Sequence, residues 1–151
     1  MSRKYRLSAL IFFLILLISG FINLLSAKGI PVERRLSVEQ VIKKTFEADK
    51  NKALLIDVRN IEENEAVRIP GSFHLPLEKI KKGKFEFDKK RDLIFYCVSG
   101  PRAEIAFNLF KKKGYKNIYV LEGGLQAWID KQAPLVTPKV IKWELGKGCE
   151  S

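Results

Sequence analysis

The chain has 151 residues, of which 28 are Lys or Arg and 17 are Asp or Glu, giving a formal net charge of +11. This length predicts one domain, and a composition that is 46% hydrophobic excludes a chain that is disordered throughout. One histidine and two cysteines are too few for a disulfide framework. They also exclude almost every all-protein zinc site, which needs about four ligands.

Residues 1–27 have the pattern of an export signal. Three basic residues precede residues 7–25, which carry no charge, and the small residues Ser26 and Ala27 follow. This pattern is typical of a cleaved signal peptide, but the uncharged stretch is also long enough to span a bilayer uncleaved. Because positively charged flanks stay in the cytoplasm, both forms send the rest of the chain outward. The sequence therefore predicts a signal peptide or membrane anchor and an exported protein, either periplasmic or otherwise extracytoplasmic.

Many of the remaining basic residues lie in three short clusters. These are Lys79, Lys81, Lys82 and Lys84; Lys89, Lys90 and Arg91; and Lys111, Lys112 and Lys113. Aromatic residues do not alternate with them as in a nucleic-acid stacking surface, so no nucleic-acid partner is predicted. The clusters fit solvated helix ends and loops, with attraction for anionic lipid or anionic substrates as the alternative. Membrane contact is predicted only if residues 7–25 are retained.

The first half of the exported part predicts short alternating elements. Ser37 and Gln40 form a capping-box pattern, and apolar residues recur at helical spacing as far as Phe46, which predicts a helix near residues 37–48. The pattern then predicts a strand at residues 53–58, an exposed acidic helix at 60–66, a turn at 69–71 and a brief strand at 73–75.

The second half predicts a strand–helix–strand unit. Residues 93–96 and 118–121 are uninterrupted apolar runs, typical of parallel strands covered on both faces. A helix begins between them at Pro101, and its apolar residues form one stripe: Ala103, Ile105, Ala106, Phe107, Leu109 and Phe110. A short helix containing Trp128 follows, and Phe107 and Trp128 are predicted to be core residues. The prediction is an α/β fold: a small, mainly parallel central sheet flanked by helices on both faces.

Two polar features follow predicted strands, at the sheet edge where ligands gather in such folds. Asp57 and Arg59 follow the first, and Cys97 opens a short loop that leads directly into a helix. Backbone N–H groups and the positive end of a helix favour an anion, which for cysteine is the reactive thiolate. Gly100 permits backbone conformations that a side chain would forbid, and the planar guanidinium of Arg102 offers N–H donors to an oxyanion. A free cysteine is often only a small apolar core residue, but the loop, the glycine, the arginine and the helix start together favour a reactive cysteine.

Three motifs in the chain resemble the rhodanese domain of sulfurtransferases. The first comprises Asp57-Val58-Arg59, Glu62-Glu63, Arg68-Ile69-Pro70-Gly71-Ser72 and His74-Leu75-Pro76. The second is Cys-x-x-Gly-x-Arg at residues 97–102, and the third comprises Gly114-Tyr115, Ile118 to Leu121, Gly123-Gly124 and Ala127-Trp128. The resemblance covers about residues 37–130. It leaves residues 131–151, interpreted as a wrapping or loose tail, as a C-terminal extension.

The resemblance implies a rhodanese-like fold and a sulfurtransferase that needs no metal or organic cofactor. Cys97 would take a sulfane sulfur from thiosulfate or a related anion, become a persulfide and pass the sulfur to a thiol or cyanide. The implied substrate-binding residues are those of the loop: Val98, Ser99, Gly100, Pro101 and Arg102. Arg102 would anchor the donor, while Asp57 and Arg59 would brace the site. His74 is interpreted as a solvent-facing turn residue.

Two alternatives and several departures accompany this hypothesis. Phosphatases related to this fold place five residues between cysteine and arginine where this chain has four, which favours sulfur. An exported, non-catalytic binding module is the other alternative, against which the intact cysteine argues.

Ala103 replaces a common hydroxyl residue and Pro101 removes one loop N–H, so both can weaken activity. Cys149 is left open as a resolving thiol, a partner in an intermolecular disulfide or an idle thiol. The sequence does not predict the oligomeric state.

Overall fold

The computed structural model describes residues 30–47, 51–83 and 85–137. The chain divides into two compact units, residues 1–31 and 32–151, and the description below concerns the second. The predicted export segment and Cys149 lie outside the described residues. Within the described part, no helix combines the length and apolarity that a membrane span requires.

The second unit is built around a five-stranded sheet. Its strands are β1 Arg35–Leu36, β2 Leu54–Asp57, β3 Phe73–His74, β4 Leu93–Tyr96 and β5 Ile118–Leu121. They lie in the order β1-β5-β4-β2-β3, and every pair of neighbours is parallel. The predicted α/β fold with a central parallel sheet is therefore confirmed. Strand β1 was not predicted, since two residues are too few to show a period.

Short helices connect the strands. They are α1 Val38–Ile42, α2 Ile61–Ala66, α3 Leu77–Lys81, α4 Pro101–Lys112 and α5 Gly124–Asp130. The predicted capping box starts α1, where the Ser37 hydroxyl accepts from the Gln40 N–H. The prediction of one α-helix over residues 37–48 is wrong in detail, because α1 is followed by a π-helical segment at Lys43–Glu47. Helix α3 was not predicted.

Apolar side chains cover both faces of the central strands. All four residues of β4 are buried, as the uninterrupted apolar run predicts. Ile94 and Tyr96 join the apolar cluster that contains Trp128, whereas the Phe95 ring packs 4.7 Å from Phe110 of α4. Phe107 and Trp128 are both core residues, as predicted.

Helix α4 buries a narrower stripe than predicted. Its buried residues are Ala103, Ala106, Phe107 and Phe110. Ile105 was expected to widen this stripe, but its side chain is 45% exposed because it points away from the sheet-facing side. The described members of the three basic clusters are all exposed.

The start of the C-terminal extension packs against the rest of the second unit. The indole N–H of Trp128 donates to the Pro134 carbonyl at 2.9 Å. Arg68 and Val136 exchange two backbone hydrogen bonds of 2.9 Å each. As far as residue 137, the extension is therefore packed against the domain as a wrapping segment. Residues 138–151 lie outside the described part.

Candidate active site

Cys97 follows directly on β4 and is 2% exposed. The backbone N–H of Gly100 donates to its sulfur, with N and Sγ 3.1 Å apart. Gly100 adopts φ +131°, a conformation that L side chains rarely adopt, and its carbonyl accepts from Glu104 as α4 begins. The loop thus folds back so that one of its N–H groups contacts the Cys97 sulfur, and it continues directly into α4.

The rest of the loop matches its predicted position. Pro101 is the first residue of α4, where its missing N–H leaves no helical hydrogen bond unmade. Val98 and Ser99 are exposed, whereas Cys97 directly before them is buried.

The first turn of α5 is hydrogen-bonded to the backbone of the cysteine loop. The N–H of Leu125 donates to the Cys97 carbonyl at 2.8 Å, and the N–H of Gln126 donates to the Val98 carbonyl at 3.0 Å. Gly124 has φ +59°, and a Cβ there would lie 2.7 Å from both of these carbonyl oxygens. Glycine is therefore required by both backbone conformation and close approach. The sequence offered the glycine pair as a motif but not this supporting role.

Asp57 and Arg59 form a buried ion pair beside the loop. They are 0% and 2% exposed, and Nη2 of Arg59 lies 2.6 Å from Oδ2 of Asp57. Burial alone would raise the pKa of Asp57, but hydrogen bonds from Arg59 and Asn64 hold it below its ordinary value. Arg59 also donates to the Val67 carbonyl. Their hydrogen bonds link β2 to α2 and do not reach the Cys97 sulfur, a geometry that fits a bracing role.

Arg102 is paired with a carboxylate that the sequence did not assign to the site. Its Nη1 lies 2.6 Å from Oε2 of Glu63, and its Nη2 lies 2.7 Å from Oε1. Hydrogen bonding to Arg102 lowers the pKa of Glu63 to about 2. The hydrogen bond to Glu63 is the main cause that raises the pKa of Arg102, and the nearby Cys97 makes a smaller contribution in the same direction. Glu63 belongs to the acidic helix predicted to be exposed, but its side chain is half-buried at the site.

His74 is not the solvent-facing turn residue expected from the sequence. It is half-buried at the end of β3, and its Nε2 lies 3.0 Å from the Arg59 carbonyl oxygen. Tyr96 supports the same region, because its hydroxyl donates to Ser72 and accepts from the Ile69 N–H. Burial raises the pKa of Tyr96, which therefore keeps its proton and remains a donor.

Comparison with known proteins identifies a family that the chain resembles over most of its described part. The chain matches the rhodanese-like domain over residues 38–131. It is 32% identical over 102 residues to the putative sulfur carrier protein YrkF of Bacillus subtilis, covering 66% of this chain and 55% of that protein. It is 35% identical over 92 residues to a sulfurtransferase of Allochromatium vinosum, covering 61% of this chain and 86% of that protein.

A solved structure shares the fold. The solution structure of a rhodanese-like domain from an Anabaena sp. protein superposes with a TM-score of 0.62 at 22% identity, covering 80% of this chain and 91% of that one. The family match spans more than half of the chain and, in the described part, includes every strand after β1 and helices α1 to α5. By fold and sequence, the chain belongs to the rhodanese-like domain family.

Proposed function

We propose that the chain is a sulfurtransferase that carries a sulfane sulfur as a persulfide on Cys97. Its membership of the family and its similarity to proteins named sulfurtransferases support this proposal. The observation that carries it is the Gly100 N–H directed at the Cys97 sulfur, within a loop that opens a helix. Such a cradle favours negative charge on sulfur, both in the thiolate and in the persulfide anion.

The reaction has two half-reactions. The Cys97 thiolate attacks the outer sulfur of the donor, the donor's sulfur–sulfur bond breaks, and the leaving group departs with that electron pair. A thiolate or cyanide then attacks the terminal sulfur of the Cys97 persulfide, forming a new persulfide or thiocyanate and restoring the Cys97 thiolate. No metal or organic cofactor enters either step.

The Arg102 contact favours this chemistry over phosphate transfer. A phosphatase loop must wrap a phosphate dianion and present its arginine to it. Here four residues separate Cys97 from Arg102, and two of the five N–H donors of the Arg102 guanidinium are bonded to Glu63. The short loop leaves less room for a phosphate, and the Glu63 carboxylate beside Arg102 would repel its negative charge.

Replacing Cys97 with serine should reduce sulfur transfer to the uncatalysed background, because serine cannot form a persulfide. The measurement is product formation from a sulfane-sulfur donor and a thiol or cyanide acceptor. Cys149→Ser is the matched control, since it removes the other thiol of the chain, and it should retain activity. Transfer that survives in Cys97→Ser, or is lost in Cys149→Ser, would overturn the assignment of the nucleophile. A folded wild-type protein without transfer would favour the binding module.

We also propose that the protein is exported, with residues 1–27 cleaved as a signal or retained as an anchor. The uncharged run of residues 7–25 behind a basic start supports this proposal. Cell fractionation with N-terminal sequencing tests it. A mature protein outside the cytoplasm that begins near Lys28 indicates cleavage, whereas an intact membrane-bound chain indicates an anchor. An intact soluble chain in the cytoplasm would contradict export.

A further inference from the structure

The three basic clusters of the sequence lie together on one surface. The Nζ of Lys113 donates to the Gly83 carbonyl at 3.1 Å, which joins the end of α4 to the end of α3. The side chain of Asn117 donates to the Lys90 carbonyl at 3.0 Å, which brings the third cluster to the same place. We call this surface the basic face, and all of its members are exposed: Lys79, Lys81, Lys82, Lys89, Lys90, Arg91, Lys111, Lys112, Lys113 and Lys116.

The basic face lies toward the edge of the sheet opposite to Cys97. Arg91 and Lys116 come just before β4 and β5, at the amino ends of these strands. Helix α4 begins beside Cys97 and must end near the start of β5, because β4 and β5 are parallel. A partner bound to the basic face therefore need not cover the cysteine loop.

Few carboxylates compensate for the charge of the basic face. In the described part, its one ion pair joins Lys81 to Glu78, and both side chains are exposed. The other exposed carboxylates of these segments are Glu86 and Asp88. Because the cations outnumber the carboxylates, the basic face attracts an extended negative surface.

The cavity beside the basic face is not built for a single phosphate group. Its volume is about 590 Å³, and its lining includes Lys52, Lys90 and Arg91 but also Asp88 and Asp92. The two carboxylates would repel a phosphate dianion. Positive charge is thus spread over the basic face rather than concentrated in a pocket, which suits a broad anionic partner.

The aromatic rings that contact the basic face offer no surface to stacked bases. Phe85 stacks on Phe110 with the ring centroids 4.1 Å apart, and the Nζ of Lys113 lies 4.2 Å from the Phe85 centroid. Tyr115, whose ring lies 5.8 Å from the Nζ of Lys89, is buried. Single-stranded nucleic acid is bound by free ring faces as well as by cations. The basic face therefore has the charge of a nucleic-acid site without its stacking groups.

The direction of the chain favours a membrane. Strand β1 is parallel to β5, so the chain enters the sheet from the amino edge, toward which the basic face lies. Residues 7–25, the uncharged run of the export signal or anchor proposed above, precede this entry. We propose that the basic face docks on a bilayer of anionic phospholipids, with the Cys97 edge directed away from it. Each lysine or arginine close to such a bilayer strengthens binding by about fivefold.

The test is lysine footprinting of the full chain in lipid nanodiscs, one set of phosphatidylcholine and one of equimolar phosphatidylcholine and phosphatidylglycerol. Acetylation by a water-soluble reagent, read by peptide mass analysis, reports docking even if residues 7–25 hold the chain on both lipids. The anionic lipid should slow acetylation of Lys82 and Lys112 by about fivefold or more. Lys43 and Lys131 should change by less than about twofold, because distant charges are screened. These two exposed control lysines follow α1 and α5, whose apolar residues pack on the other face of the sheet from α4.

Lys89→Glu/Lys116→Glu reverses two charges of the basic face and should remove most of the protection that the anionic lipid gives. Lys43→Glu/Lys131→Glu is the matched control with the same change in net charge, and it should leave the protection within about twofold. Thermal unfolding verifies that both variants are folded. Equal acetylation on the two lipids, or equal loss of protection in the two variants, would overturn the inference. Protection by duplex nucleic acid but not by anionic lipid would also overturn it, because the partner would then be a nucleic acid.

Discussion

Replacing Asp57 with alanine is expected to lower the free energy of unfolding by about 3–5 kcal/mol, the cost of breaking a buried ion pair from one side. The Arg59 guanidinium is 2% exposed, so it would lose its carboxylate without gaining water. Asn64 would also lose its acceptor, because its Nδ2 donates to Asp57 at 2.9 Å. Equilibrium unfolding in denaturant, followed by circular dichroism, measures the change.

Asp92→Ala is the matched control for this effect. Asp92 accepts from Lys44 at 2.7 Å, but both side chains of this pair are partly exposed, so its loss should cost only about 0–1 kcal/mol. If Asp57→Ala destabilises the protein no more than Asp92→Ala does, Arg59 must reach solvent or another partner in the variant. The buried pair would then not be what braces the connection between β2 and α2.

Gly124→Ala is expected to reduce the rate of sulfur transfer by about 10²-fold, the effect of displacing a reacting group by roughly 1 Å. A methyl group there would lie 2.7 Å from the carbonyl oxygens of Cys97 and Val98, both of which are backbone atoms of the catalytic loop. The positive φ adds about 1–3 kcal/mol of strain for a non-glycine residue. Steady-state transfer and thermal unfolding, measured on the same preparation, separate the two effects.

Gly71→Ala distinguishes the collision from the strain. Gly71 has φ +69°, similar to that of Gly124, but a Cβ there would meet only the Phe46 ring at 3.8 Å, an ordinary contact. It should therefore lose stability while it keeps most of its transfer activity. Equal loss of activity in the two variants would show that stability alone, and not the support of the loop by α5, governs the rate.

The sequence predicts the central elements because their signals are local. The apolar runs of β2, β4 and β5 and the stripe of α4 are each visible within a few residues. Strand β1 and helix α3 are too short to show a period, and they are set by pairing and packing partners distant in sequence. The π-helical segment at Lys43–Glu47 escapes prediction because helical spacing does not distinguish it from an α-helix.

The same distinction applies to the site. The loop from Cys97 to Arg102 is contiguous, so its cradle at the start of a helix could be inferred from residue types and spacing. Glu63 lies 39 residues before Arg102, and their contact depends on β2 and β4 being neighbours in the sheet. The approach of Gly124 to Cys97 likewise depends on β5 lying beside β4. These long-range contacts add Glu63 and Gly124 to the site, which the local pattern did not predict.

The most direct test is the first half-reaction alone. The purified protein is incubated with a sulfane-sulfur donor in the absence of acceptor, freed of donor and examined by intact-mass and peptide-mass analysis. We expect one added sulfur atom on the peptide that contains Cys97, and this atom should be lost again when a thiol or cyanide is supplied. A folded protein that gains no sulfur, or gains it only on Cys149, would show that Cys97 does not carry the transferred sulfur.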